Sequence, residues 1–406
     1  MPIQSLAELR QRAEQELTQD ILPFWAKHAF EPTTGNLVGV VTNDLRRLDG
    51  VPRHVVLCAR ILWTFAAAQR VVPSQQWLDA GRKALALLEG PFWDSANGGV
   101  FWSIDDAMRP LSDRKQVYAQ AFTIYGLSEW YAATGDQGAL LRAQGIYRLL
   151  ETKARDLQDR GYIEALSAQW GTLADMRLSD KDLNSPKSMN TLLHVLEAYT
   201  ALLRVWPDEG LRAALRDLLE VMLEKIYTET PYPRFALFFD MKWKSLNEGI
   251  SYGHDIETSW LIWEAALAIG DKALQERTRT IALKMARGVL ENGLDRDGAV
   301  FYGGDATGVL NDQKHWWPQA EAVVGFLNAH ELDGSPASLT AAFRAWDFIE
   351  GFVIDRVHGE WFSNLNRHGR PLGDYQDNPD YCKIGPWKCP YHNARACIEV
   401  LRRVKA

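Results

Sequence analysis

One type of short segment, a turn residue followed by aromatic and aliphatic residues, recurs six times in the chain. It reads GNLVGVV from Gly35, GGVFWS from Gly98, GYIEA from Gly161, RFALFFD from Arg234, GAVFYG from Gly298 and GEWFSN from Gly359. Successive starts are 63, 63, 73, 64 and 61 residues apart, so six units of similar length account for the 406-residue sequence. Such a period constrains the fold more than any single motif, because each unit must bury its apolar face against its neighbours.

Each unit has the same internal order. An amphipathic helical stretch precedes the extended segment; a polar loop and a more apolar helical stretch follow it. The first stretches run over 5–30, 75–92, 139–155, 211–227, 273–290 and 339–354, with apolar residues three and four apart beside Arg, Glu and Lys. This spacing predicts outer helices with one wet face. The second stretches are HVVLCARILWTFAAA, QVYAQAFTIYGLSEWY, SMNTLLHVLEAYTALL, GHDIETSWLIWEAAL, HWWPQAEAVVGFLNA and CPYHNARACIEVLRR. They are apolar nearly all round, as helices buried on most sides must be. Six helix pairs can stack as an open solenoid or close into a ring. A solenoid needs polar capping repeats and usually has shorter units, whereas here the terminal units resemble the central ones. The expected fold is all-α: an (α/α)6 barrel of six helix pairs with short β-hairpin-like segments at the loops, forming one catalytic domain over residues 1–406. The polar loops and inner-helix starts should gather at one mouth.

Forty-five Lys and Arg against 52 Asp and Glu leave a net charge of −7, with no clustered basic surface for phosphate, so nucleic acid is excluded as a partner. No apolar run approaches a membrane span and the N-terminal residues do not read as a signal peptide, so a cytoplasmic protein without membrane contact is expected. Cys58, Cys382, Cys389 and Cys397 are too few for a disulfide framework. The expected assembly is a monomer or weak dimer. Sixteen tryptophans are an excess; most should fill the core, the remainder lining a site, where apolar ring faces stack on sugars.

The inner-helix starts carry groups that are costly to bury: Arg60; Tyr118 and Gln120; Asn190 and His194; His254 and Glu257; His315, Trp316, Trp317 and Glu321; Trp387 and His392. A closed ring brings these chain-distant positions to one cavity. His28, His330, His358 and His368 fall on outer elements or loops, where structural roles are expected, and His54 is open to either reading. The i, i+3 spacing of His254 and Glu257 puts both on one helical face, so the carboxylate is expected to orient the ring and favour its charged form, unless it and Asp255 only serve the helix N-terminus. Cys389 and His392 have the spacing of half a zinc site, but there is no second cysteine pair and no HExxH, so no metal is expected. Asp182, Glu257 and Glu321 are the acids a glycoside hydrolase would use, yet each stands beside His, Trp or Arg rather than a matching acid. No glycine-rich phosphate cradle or dinucleotide fingerprint is present.

Taken together, RILWTFAAA, VYAQAFTIYGLSEWY, KSMNTLLHVLEAY, SYGHDIETSWL, HWWPQAEAVVGFLNA and WKCPYHNARACIEV closely resemble the motifs of cellobiose 2-epimerases, members of the N-acylglucosamine 2-epimerase superfamily. The similarity runs from about residue 15 to the C-terminus. It implies an (α/α)6 barrel and an enzyme without a cofactor that acts on a small sugar. The implied reaction is epimerisation at C2 of the reducing-end glucose of a β-1,4-linked disaccharide, cellobiose or lactose; relatives act on mannose and glucose or on N-acetylglucosamine. Residue by residue, the resemblance implies that His254 and His392 are the acid/base pair and His194 a third active-site histidine assisting ring opening. Arg60, Tyr118, Asp182, Asn190 and Glu257 match polar binding positions, and Trp317 and Trp387 match tryptophans that hold the sugar. Trp316 and Glu321, at the same helix start, complete the expected substrate-binding set. The chain departs from the family pattern at Gln116, at Leu192 and in the loop over 35–44, positions that bear on substrate choice.

Overall fold

The structure, a computed structural model, describes residues 2–405. In chain order its helices are α1 (Leu6–Glu16) and α2 (Leu22–His28), joined by a π-helical turn, then α3 (Val55–Val71), α4 (Gln75–Glu89), α5 (Val117–Thr134), α6 (Gln137–Leu149), α7 (Met189–Val205), α8 (Glu209–Val221), α9 (Tyr252–Ile269), α10 (Lys272–Asn292), α11 (Trp316–Asp333), α12 (Pro336–Phe348) and α13 (Tyr391–Arg403). The odd-numbered helices from α3 to α13 are the inner ones. Each packs against the next, and α13 packs against α3, so the ring of the expected (α/α)6 barrel closes. Three outer helices end in a five-residue π-turn, at Leu150–Ala154, Met222–Ile226 and Ile349–Val353, where the next N–H reaches back five residues. No helix among the described residues is long and apolar enough to cross a membrane.

The tight hairpins run from an inner helix to the outer helix that follows it: α3 with α4, α5 with α6, and so on to α11 with α12, while α1 packs on α13. Turn chemistry explains this direction. Gly135, Gly270 and Gly334 end α5, α9 and α11 in the left-handed region, and Asp136, Asp271 and Ser335 immediately cap the next helix. The long polar loops therefore lie at the opposite end of the ring.

The six recurring segments return from the outer helices as short hairpins, through pairs such as Phe30 with Leu37, Trp93 with Val100 and Ile354 with Trp361. Residues just before each inner helix then pair with the following unit: Arg53–His54 with Ser103–Ile104, Lys115–Gln116 with Ala165–Leu166, Lys187–Ser188 with Phe238–Phe239, Ile250 with Gly304, and Lys314–His315 with Asn364–Leu365. Ile384 pairs with Val41 and completes the circle. The mouth is thus stitched in the same cyclic order as the helices.

A cation follows the same repeat. Lys115 forms an ion pair with Asp94, Lys187 with Asp156 and Lys383 with Asp355, at 2.7, 2.7 and 2.8 Å, and Lys314 lies between Asp295 and Asp297. Arg53 and Glu31 take this place in the first unit at 2.7 Å. Each pair fixes the hairpin at the end of an outer helix to the strand that launches the next inner helix, setting where the inner-helix N-termini point.

Candidate active site

Those N-termini enclose a cavity of about 400 Å³ at the mouth, within the range of small-ligand sites. Twelve of the expected residues line it: Arg60, Tyr118, Asp182, Asn190, His194, His254, Glu257, His315, Trp316, Trp317, Trp387 and His392. Glu321 does not. Expected to bind substrate, it lies one layer behind the wall, fully buried against His392. Gln120 is also taken up structurally, bonding the backbone N–H and carbonyl of Val100 at 2.9 Å each. His54 sits edge-on to Trp102 and is absent from the lining. An adjoining hollow of about 190 Å³ passes His254 between Met189, Leu237, Phe238 and Ile250.

The three central histidines are each held by Nδ1. His392 Nδ1 is 2.7 Å from Glu321 Oε1, His194 Nδ1 is 3.0 Å from Glu197 Oε2, and His254 Nδ1 is 2.7 Å from Ser251 Oγ. In each ring Nε2 remains the nitrogen available to a ligand. Where a carboxylate accepts from Nδ1–H, the neutral ring presents Nε2 as a base. A hydroxyl can donate or accept, so His254 can present Nε2 in either protonation state without moving. Both His254 and His392 lie against Trp317, with ring centroids 4.7 and 5.5 Å from its indole. Gly253 leaves room for that indole: a Cβ there would lie 2.6 Å from it.

The expected pairing of His254 with Glu257 is not formed. Glu257 instead accepts from Arg395 at 2.5 Å, because a guanidinium at the ring axis outcompetes a neutral imidazole for a buried carboxylate. Burial holds His254 down to about 3 and pushes His392 well below the ordinary imidazole value, so both rings are neutral in the free protein. Burial also lowers His194, against the opposing pull of Glu197. Burial would raise Glu197, but Arg395 and His194 hold it down at about 2.

Arg60 reaches the cavity from α3, donating to Tyr118 Oη at 2.6 Å and lying 4.1 Å from the centroid of Phe122. Its Nη1 is 3.5 Å from Cys389 Sγ, so that cysteine packs against a cation. Arg60 Nε, Asn190 Oδ1, Glu257 Oε2 and Trp316 Nε1 are buried without a partner among the described residues. All four belong to residues lining the cavity, a mixed set of donors and acceptors suited to a polyhydroxylated molecule.

The family model for N-acylglucosamine 2-epimerase (GlcNAc 2-epimerase) matches residues 41–382. A protein named cellobiose 2-epimerase from Bacteroides fragilis is 41% identical over 394 residues, spanning 97% of this chain and 98% of the relative. Another, from Dictyoglomus turgidum, is 35% identical over 400 residues, spanning 98% and 100%. The solved structure of cellobiose 2-epimerase from Bacillus thermoamylovorans superposes with a TM-score of 0.91 at 35% identity, covering 98% of this chain and 100% of that one. The chain belongs to the N-acylglucosamine 2-epimerase family.

In this family member the floor beneath the histidines holds what sequence reasoning missed: Arg395, Glu197 and Tyr391. Arg395 Nη2 donates to Glu257 and Glu321, and Nη1 donates to Glu197; the hydroxyl of Tyr391 donates to Glu197 as well. One signal was available, since Arg395 follows His392 by three residues inside an otherwise apolar helix. Glu257, Glu321 and His392 have ligand atoms within 4.8 Å of one another, a grouping that could hold a cation. Arg395 supplies that cation, donating to both carboxylates at 2.5 and 2.6 Å.

The mouth loops also meet over the cavity. Lys181, in the loop before α7, pairs with Asp380, in the loop before α13. Asp182 accepts from the N–H and hydroxyl of Ser179, which fixes its carboxylate at the rim.

Proposed function

We propose that this chain is a cofactor-independent sugar 2-epimerase, interconverting glucose and mannose at the reducing end of β-1,4-linked disaccharides, cellobiose first and lactose second. The observation that carries the reading is the pair His254 and His392: each has Nδ1 engaged, both face one cavity and both lie against the same indole. Relatives named cellobiose 2-epimerase over nearly the whole chain support the substrate class.

A sugar C2 proton becomes removable only after the ring opens, when the C1 aldehyde can delocalise the carbanion as an enediolate. Inversion then needs one group to take the proton from one face and another to return a proton to the opposite face. His254 and His392 fill these places, exchanging roles with the direction of reaction. Such positioned proton transfer contributes ~10²–10⁴-fold. The ring that takes the C2 proton must arrive unprotonated, as both rings are in the free protein; the opposite ring takes a proton from solvent at the mouth before it returns one to C2, and each turnover leaves the two rings with their charge states exchanged. Once protonated, His392 is stabilised by Glu321, at 2.7 Å. His194, on the neighbouring helix, assists ring opening, and Arg60 stabilises the oxygens where negative charge develops. Trp317 and Trp387 hold the sugar, while Tyr118, Asn190, Asp182 and Glu257 contact its hydroxyls; Trp316 closes the wall beside His392. The cavity and the hollow past His254 leave room for a second sugar ring. The ring of helices acts as one catalytic domain, in the cytoplasm.

Chromatography of the product mixture tests this reading. Incubation with cellobiose should give 4-O-β-D-glucosyl-D-mannose; release of two monosaccharides, or no conversion, would contradict it. Mannose and N-acetylglucosamine assayed in parallel identify the preferred sugar.

A further inference from the structure

Arg395 is 1% exposed and lies one helical turn after His392 on α13. Its two terminal nitrogens divide three carboxylates between them: Nη2 meets Glu257 and Glu321, and Nη1 meets Glu197. The guanidinium carbon lies 4.1 Å from the ring centroid of Tyr391 and 4.8 Å from that of Trp260, so its plane is fixed by aromatic rings as well as by acceptors. The atom of Glu321 that meets Arg395 also meets His392 Nδ1, while the second oxygen of Glu197 meets His194 Nδ1. A continuous chain of polar contacts therefore runs from His392 through Glu321, Arg395 and Glu197 to His194. Buried ionic clusters are weak sources of stability, and the main consequence of this one is geometric.

We propose that Arg395 is a positioning residue: by holding Glu321 and Glu197 in fixed orientations it sets the ring planes of His392 and His194 together, without touching the sugar. This rests on the 2-epimerase reading of the cavity. A planar fork can serve acceptors in three directions at once, which a lysine ammonium on a flexible stem cannot reproduce.

The groups facing His392 set the sign of the test. Arg60 comes from α3, Tyr118 from α5, His194 and Glu197 from α7, and Glu257 and Glu321 from α9 and α11. Apart from burial, Arg60, Arg395 and His194 disfavour the protonated ring, and Glu197 favours it. Removing the charge of Arg395 therefore raises the pH at which His392 loses its proton.

Arg395→Lys keeps the charge and loses the fork. It should lower kcat by about 10²-fold while KM for cellobiose stays near wild type, and the side-chain NMR resonances of His194 and His392 should shift, leaving those of His54 in place. Arg395→Gln should in addition move the acid limb of kcat/KM to higher pH. Wild-type kcat in Arg395→Lys overturns the proposal. So does a lowered kcat with unmoved His194 and His392 resonances, the signature of an arginine that only supports the fold. Where Arg395→Gln folds, an unmoved acid limb overturns it too; where it does not fold, the lysine variant decides alone. The NMR readout needs no turnover, so a wild-type protein that forms no mannose epimer contradicts the functional reading separately.

Discussion

Glu321 reaches from α11 to α13 to place Oε1 at 2.7 Å from Nδ1 of His392. The carboxylate orients the ring and stabilises the imidazolium that forms once Nε2 has taken a proton. Glu321→Gln keeps an acceptor of the same shape and removes the charge. We expect kcat to fall by up to about 10⁴-fold, the scale of a catalytic histidine losing its orienting carboxylate, with helical circular dichroism unchanged. Steady-state kinetics on cellobiose checks this, and near-wild-type kcat would contradict it.

Arg60 is buried against Tyr118 and Phe122 and borders the cavity. If it stabilises developing charge on the sugar oxygens, Arg60→Lys is not conservative, because a point charge replaces a fixed fork. The expected loss is about 10²–10³-fold in kcat, the scale of removing one oriented donor. A change confined to KM would instead assign Arg60 to ground-state binding.

Stability should depend on pH in a particular direction. Burial raises Glu164 and Asp255 to about 7 and Glu16 to about 8, so the folded chain holds protons that the unfolded chain releases. That contribution is complete below the ordinary carboxyl range and is lost as pH rises through 7. Burial lowers His54 to about 4 and both His254 and His315 to about 3, so their contribution is present above the ordinary value of 6.5 and is lost as pH falls through this range. The two sets oppose one another until the unfolded histidines have released their protons, and above about pH 7.5 the histidine contribution is complete while the carboxyls still titrate. Thermal melts should show Tm falling from about pH 7.5 towards 8.5; a Tm that rises over this interval would contradict the assignment.

The repeated cation at the hairpin ends makes a structural prediction. Lys187 Nζ donates to Asp156 at 2.7 Å and to the carbonyls of Arg160 and Met241 at 2.8 and 2.9 Å. Lys187→Met leaves a buried carboxylate and two carbonyls without their donor, which should cost about 3–5 kcal/mol. Denaturant unfolding measures this directly.

Much of the architecture was legible in the sequence for a physical reason: each unit repeats one burial problem. The recurring glycine and aromatic segments all return as hairpin strands, and the apolar stretches form the inner ring. The hairpin direction was less visible, because Gly135–Asp136 and Gly270–Asp271 are short signals beside long polar loops. At the site, residues at inner-helix starts converge as a closed ring requires. Partner choice was not legible. Spacing paired His254 with Glu257, but Arg395, 138 residues away from Glu257, captured that carboxylate. Glu321 sits behind His392 because its helix turns it towards α13, an orientation that depends on the relative rotation of two helices.

The central claim is two-base proton transfer at C2, and turnover in deuterated water tests it most directly. Cellobiose incubated with the enzyme in D2O should yield the mannose epimer carrying deuterium at C2 from the first turnovers, as followed by NMR, and both His254→Ala and His392→Ala should abolish that product. An epimer that retains its original proton at C2 would contradict the account.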